Sequence, residues 1–119
     1  MNKPHKKLKV WQLAVDFCII IYNITENFPK NELYGLSMQM RRAVVSIPSN
    51  IAEGAARYST KESAQFYNIA RGSISELDTQ IEIAFRLNYI SEIDKNKLIN
   101  LLNEIDRLLY GLWKKSSLI

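Results

Sequence analysis

The chain has 119 residues, of which 47% are apolar and 24% charged, a composition typical of one globular domain with a single core, here taken as residues 1–119. Its only cysteine is Cys18, which excludes an intramolecular disulfide and favours a reducing, cytoplasmic location. Gln12 and Asp16 interrupt the apolar segment after the N-terminus, so neither a signal peptide nor a membrane span is predicted. The net charge of +4 equals the charge of Lys3, Lys6, Lys7 and Lys9, which leaves 12 basic against 12 acidic residues elsewhere and excludes a general basic footprint for nucleic acid.

Residues 1–9 are predicted to be a basic, flexible tail, and helix one follows from Val10 to Phe28. Apolar residues recur in this segment at alternating steps of four and three, as in a helix packed in a bundle. Pro29 ends the helix, because the residue before a proline disfavours the helical conformation. The predicted core positions are Val10, Ala14, Phe17, Ile21, Ile24 and Phe28, with Cys18 as a small buried apolar side chain.

Helix two is predicted to begin near Asn31 or Glu32, and it contains Pro48. A proline inside a helix removes one backbone hydrogen bond and costs about 3 kcal/mol. The apolar stripe keeps its phase across Pro48, so we predict one helix that is kinked there and whose Val44 carbonyl loses its usual donor. Gly54 would let a neighbouring helix approach closely or let the chain turn. The stripe consists of Leu33, Leu36, Met40, Val44, Ile47, Ile51 and Gly54.

Helices three and four each begin at a predicted serine cap. Ser59 and Glu62 form a capping box at the start of helix three, and Ser91 with Asp94 caps helix four. The helix-three stripe is Phe66, Ala70, Ser73, Leu77, Ile81, Ala84 and Leu87, widened by Tyr67, Ile74 and Phe85. The helix-four stripe is Leu98, Leu101, Leu102, Ile105, Leu108, Leu109 and Leu112, and Lys114 and Lys115 end that helix. The fold class is therefore all-α, an up-down-up-down antiparallel four-helix bundle.

The sequence offers no pattern of catalytic or metal-binding residues. The only histidine, His5, lies in the tail and has no partner at metal-ligand spacing. The chain contains no Glu-x-x-His motif of the kind that holds two metals in a helical bundle, and its four glycines are scattered rather than gathered in a phosphate loop. We therefore predict a protein that is not an enzyme and has no cofactor.

The polar face of helix two is the candidate contact surface. Residues 41–71 carry five basic and two acidic side chains, a net charge of +3, and residues 72–113 carry a net charge of −3. One interpretation is a solvent-facing side stabilised by a Glu53–Arg57 pair. The other is a surface whose guanidinium and hydroxyl groups contact phosphates or another subunit. The candidate residues are Arg41, Arg42, Ser46, Ser49, Asn50, Glu53, Arg57 and Lys61, with Lys6, Lys7 and Lys9 of the tail.

The stretch "YGLSMQMRRAVVSIPSNIAEGAARYSTKESAQFYNIARGSISELDTQ" resembles the 23S rRNA intervening-sequence proteins, also called a ribosomal protein S23 family. The likeness runs from Trp11 through helix four. Its most specific parts are Tyr34-Gly35-Leu36, Gln39, Arg41-Arg42, Ser46-Ile47-Pro48, Asn50-Ile51-Ala52-Glu53-Gly54, Arg57, Lys61-Glu62, Ile69-Ala70, Gly72-Ser73 and Glu76-Leu77.

The resemblance implies an antiparallel four-helix bundle, which in some members forms a homopentamer. Accessory proteins of diversity-generating retroelements share this fold, and in them a basic ring of subunits binds the reverse transcriptase and nucleic acid; this chain differs in having a charge-neutral body. We expect a homo-oligomer that binds RNA, DNA or a reverse-transcriptase-like partner and no membrane. The alternative is a protein–protein module in which Tyr34, Tyr67, Trp113 and the wide apolar arc of helix three contact other subunits.

Overall fold

The computed structural model describes residues 3–117, and every regular element among them is helical. The four α-helices are α1 (Lys9–Thr25), α2 (Leu36–Ala55), α3 (Thr60–Arg86) and α4 (Glu92–Ser117), and short 3-10 helices at Pro4–Lys7 and Lys30–Glu32 precede α1 and α2. The predicted all-α fold with four helices is confirmed. The predicted domain and tail also include residues 1, 2, 118 and 119, which lie outside the described residues.

The helices pack side by side around one core in a molecule of 45 × 26 × 20 Å. α2 packs against α1 and α3, and α4 packs against α1 and α3. The hydroxyls of Ser46 and Ser73 are 2.9 Å apart, and Ser63 Oγ donates to the Gly54 carbonyl at 2.7 Å. α2 and α3 therefore run in opposite directions. The up-and-down order of all four helices stays a prediction, as does a bend at Pro48.

The turn between α1 and α2 differs from its prediction at both ends. α1 ends at Thr25, although Phe28 is still buried. α2 begins at Leu36, because the Glu32 carboxylate accepts a hydrogen bond from the Leu36 N–H at 3.2 Å. This bond stabilises the N-terminus of α2. The start predicted near Asn31 or Glu32 is wrong, and so is the core position of Leu33, which is 51% exposed.

The serine caps of α3 and α4 are present, and most of the core positions predicted for α3 are buried. Ser59 Oγ accepts the Glu62 N–H at 3.4 Å, and Ser91 Oγ accepts the Asp94 N–H at 3.1 Å. Leu87 is exposed rather than buried. Because α3 packs against both α2 and α4, its buried face is broad. This face comprises Ser63, Tyr67, Ala70, Ile74, Leu77, Gln80, Ile81 and Ala84.

α2 continues through Pro48, as the unbroken apolar stripe predicted. Proline has no N–H, so the Val44 carbonyl lacks its usual helical donor. Cys18 of α1 supplies a replacement, since its Sγ donates to the Val44 oxygen at 3.3 Å. Burial raises the pKa of the Cys18 thiol to about 11, so the thiol stays protonated and able to donate even in mildly alkaline solution.

At Gly54, α2 and α3 approach each other closely. A Cβ atom at this position would lie 2.5 Å from Tyr67 Cε1 and 3.1 Å from the Ser63 carbonyl oxygen. The predicted close approach is confirmed. Tyr67 is consequently buried within the chain's own core, so the prediction that it contacts another subunit is wrong.

Candidate functional site

Arg41 serves the contact between α1 and α2. Its Nε donates to Thr25 Oγ1 at 2.9 Å, and one terminal nitrogen donates to the Tyr22 carbonyl and to Glu26 Oε2, each at 3.3 Å. The guanidinium also lies 4.7 Å from the centre of the Tyr22 ring. Nε and one terminal nitrogen of Arg41 are therefore engaged at the C-terminal end of α1, which fixes the side chain in the contact between the two helices.

Ser46 contacts α3, and Asn50 is bonded to Ser46 within α2. Asn50 Nδ2 donates to the Ser46 carbonyl at 2.8 Å and to Ser46 Oγ at 3.0 Å, and Ser46 Oγ is itself hydrogen-bonded to Ser73 Oγ. Both side chains are half-buried. Ser46 thus makes a polar contact between α2 and α3, and Asn50 supports that contact from within α2.

Glu53 and Arg57 form the ion pair that the i,i+4 spacing predicted. The Arg57 guanidinium also lies 4.7 Å from the centre of the Phe66 ring of α3, which holds it against the start of that helix. Both side chains stay accessible to solvent. The predicted ion pair is therefore present, and the role of these two residues in contacting a partner stays a prediction.

Arg42, Ser49 and Lys61 are exposed and have no ion pair or side-chain hydrogen bond within the described part of the chain. Lys6, Lys7 and Lys9 are exposed as well. The structure therefore divides the candidate residues into a bound group on α2 and a free group that lies largely at one end of the molecule.

The tail lysines lie against the folded body. Residues Pro4–Lys7 form a 3-10 helix that packs against α2, and Gln12 Nε2 donates to the Lys6 carbonyl at 3.0 Å. His5 is half-buried, and its ring centre lies 4.9 Å from that of Trp11. The flexibility predicted for residues 1–9 stays a prediction.

Three segments of the chain meet at the same end of the bundle. Ser63 binds the Gly54 carbonyl, which places the start of α3 beside the end of α2. Lys61 lines a surface cavity together with Trp113 and Ser117, so the end of α4 is also close. In α1, Cys18 lies beside Val44 and Thr25 lies beside Arg41, so the start of α1 and the tail lie toward the end of α2.

The basic end, defined as residues 3–9, 53–62 and 113–117, concentrates positive charge. Its acidic residues are Glu53, already paired with Arg57, and Glu62. Lys114 and Lys115 were recognised from sequence only as helix-ending residues; their excess of positive charge in the last turn was the available signal. Its eight exposed cations are Lys3, Lys6, Lys7, Lys9, Arg57, Lys61, Lys114 and Lys115.

A second surface feature, the apolar groove, lies between α1 and the start of α2 and has a volume of about 650 Å³. Leu33 is 51% exposed in it and Tyr34 is 84% exposed. Trp113 is half-buried, with the Arg71 guanidinium 5.2 Å from its ring centre, and its predicted contact with another subunit stays a prediction. The groove is lined by Tyr22, Leu33, Tyr34, Met38, Arg41, Arg42, Val45 and Ser46.

Residues 3–117 contain no group of three or more histidine, cysteine, aspartate or glutamate side chains placed to hold a metal ion. Among the helices of this same stretch, none combines the length and the apolar character needed to cross a membrane.

Comparison with known proteins gives a family and a fold. The family model described as 23S rRNA-intervening sequence protein matches residues 6–111. A crystal structure of a protein of unknown function from the S23 ribosomal protein family of Bacteroides thetaiotaomicron is similar, with a TM-score of 0.82 and 25% identity over 88% of this chain and 95% of the other. A search of curated proteins finds no significant match.

Proposed function

The chain belongs to the family of 23S rRNA-intervening sequence proteins, and from that premise we propose that it is a non-catalytic protein that binds nucleic acid, RNA in the first place, through its basic end. The family description and the similar structure assign no reaction to either protein. The proposal therefore depends on the surface of this chain.

The observation that carries the proposal is the gathering of eight exposed cations against two carboxylates at one end of a formally neutral body. Such a patch attracts the phosphate backbone and releases the counterions condensed on it. Lysine side chains on three separate segments can follow a backbone that crosses the end of the bundle. Arg41, Ser46 and Asn50 contribute instead to helix packing, which moves the proposed contact away from the middle of α2.

Binding of a fluorescent RNA, measured by anisotropy across a salt series, tests the proposal. The logarithm of the association constant should fall linearly with the logarithm of salt concentration, by about 0.7 per phosphate contact on a single strand. A triple variant, Lys61→Gln with Lys114→Gln and Lys115→Gln, should lower that slope by up to about 2.

The matched control removes three exposed cations outside the basic end, as Lys30→Gln with Lys97→Gln and Arg107→Gln. Both variants lose the same net charge, so only the position of the charge differs. We expect the control to bind RNA nearly as the unmodified protein does. Absent binding at low salt, affinity that is independent of salt, or equal losses in the two variants would each overturn the proposal.

We propose self-association as a second function, favoured by the exposed side chains of the apolar groove. Leu33, Tyr34 and Val45 are 51%, 84% and 40% exposed, and contiguous apolar surface of this kind is typical of a protein contact. The occupant we propose is a second copy of this chain, and the family resemblance implies five copies in the assembly. Light scattering tests this proposal, and a monomer at micromolar concentration would contradict it.

A further inference from the structure

Tyr58 has no packing role in the chain. It lies in the connection between α2 and α3, and its relative exposure is 106%, the highest of the large apolar side chains described. An aromatic ring is costly to leave in water, and this connection needs no ring for its own structure. A function outside the fold therefore accounts for it better than stability does.

The backbone on both sides of Tyr58 is firmly held. The Arg57 N–H donates to the Gly54 carbonyl at 3.2 Å, and the Arg57 side chain is bound by Glu53 and lies over the Phe66 ring. On the other side, Ser59 caps α3. The ring is thus exposed on an ordered support, which lowers the entropy lost when it binds a planar group.

Tyr58 also lies within the basic end. Arg57 precedes it and Lys61 follows one turn later at the start of α3, beside the end of α4 that carries Lys114 and Lys115. An exposed aromatic ring among cations is the combination with which proteins bind single-stranded nucleic acid, since the cations contact phosphates and the ring stacks on a base.

We infer that the basic end binds single-stranded nucleic acid in preference to a duplex, and that Tyr58 stacks on one unpaired base. In a duplex the faces of the bases are covered by their neighbours, so the ring finds a partner only where a strand is unpaired. The cations attract both single-stranded and duplex nucleic acid, and stacking on Tyr58 makes the affinity for the single strand higher. The inference rests on the proposed function, since a chain that binds no nucleic acid has no base to stack on.

The test compares a 12-nucleotide oligouridine with an RNA duplex of 12 base pairs, both fluorescently labelled, by anisotropy at fixed salt. Tyr58→Ala should weaken oligouridine binding about 5- to 150-fold, the range that corresponds to one base stacked on an aromatic ring. Its affinity for the duplex should be unchanged. Tyr58→Phe keeps the ring and should keep the affinity for the single strand.

Ile93→Ala is the matched control, because Ile93 is an exposed apolar side chain, 68% accessible, at the start of α4 and lies outside both the basic end and the apolar groove. We expect its binding of both RNAs to equal that of the unmodified protein. Salt-dependent binding of both RNAs without a selective loss in Tyr58→Ala would overturn this inference and leave the proposed function standing. Absence of binding by the unmodified protein would overturn both.

Discussion

At the scale of single residues, Cys18 and Pro48 depend on each other although they lie in different helices. The proline removes the helical donor of the Val44 carbonyl, and the Cys18 thiol replaces it at 3.3 Å. A buried carbonyl without a donor costs roughly 1–3 kcal/mol, so the thiol reduces the cost of the proline. The sequence predicted a free Val44 carbonyl and a buried Cys18, but not that the two would meet.

The Cys18 thiol should be slow to react in the folded protein. Burial raises its pKa from 9.0 to about 11, and two units of pKa leave about 100-fold less thiolate near neutral pH. Because a more basic thiolate is also more nucleophilic, we expect iodoacetamide to alkylate the native protein about 10-fold more slowly than the urea-unfolded protein. The chain has no other cysteine, so mass spectrometry follows this thiol alone. Equal rates in the folded and unfolded protein would contradict the burial.

The same pKa predicts a pH dependence of stability. Because the folded protein raises the pKa, it favours the protonated thiol, so this contribution is complete below pH 9.0 and is lost as pH rises through about 11. Burial also raises the pKa of the Tyr67 hydroxyl, so the loss of stability in alkali has more than one source. The free energy of unfolding of Cys18→Ala, measured in urea, should therefore fall less steeply between pH 9 and 11 than that of the unmodified protein, but it should still fall.

At the scale of helices, the packing of α2 on α3 requires the absence of a side chain at Gly54. The Tyr67 ring occupies the space in which a Cβ would stand, and the Ser63 hydroxyl binds the Gly54 carbonyl. Gly72, inside α3, has no atom within 4 Å of such a Cβ. A side chain at position 54 would therefore clash with α3, whereas a side chain at position 72 would have free space around it.

Alanine should have opposite effects at the two positions. Gly54→Ala forces the Tyr67 ring to move, at a cost of about 1–3 kcal/mol from overpacking, which exceeds the gain of about 1 kcal/mol from replacing a glycine inside a helix. Gly72→Ala should stabilise the protein by up to about 1 kcal/mol, since it receives that gain alone. Urea unfolding measures both, and a gain in stability from Gly54→Ala would show that the contact is loose.

At the scale of the whole molecule, charge and apolar surface are separated. The basic end collects the cations of three segments, whereas the apolar groove lies beside the start of α2. Nucleic-acid binding and self-association can therefore use different surfaces. An assembly through the grooves would leave the basic ends accessible and would increase the number of phosphate contacts available to one nucleic acid.

Substitution in the groove tests this separation. We expect the unmodified protein to be an oligomer by light scattering, and Val45→Glu to shift it to smaller species, because an apolar contact does not accept an unpaired carboxylate. Ile93→Glu is the control, since Ile93 is 68% exposed at the start of α4 and does not line the groove. A similar shift in both variants would place the contact outside the groove.

Short-range sequence patterns predicted much of this fold. Residue spacing reveals interactions between residues a few positions apart. Such interactions determine the serine caps at Ser59 and Ser91, the continuity of α2 through Pro48 and the number of helices. The start of α2 was missed because it depends on a hydrogen bond from the Leu36 N–H to the Glu32 carboxylate, which the sequence pattern does not reveal. The burial of Ser63 and Gln80 on α3 was missed because that helix has neighbours on two sides.

The sequence by itself determined an all-helical chain with a neutral body, a basic tail and no pattern of catalytic residues. Only the tertiary structure decided which cations are free. Arg41 and Arg42 are adjacent in sequence, yet one binds the end of α1 and the other is exposed. It also brought Lys114 and Lys115 to the end where Lys61 lies. The physical reason is that helical periodicity specifies the direction of a side chain from its own axis, while its neighbours depend on how whole helices pack.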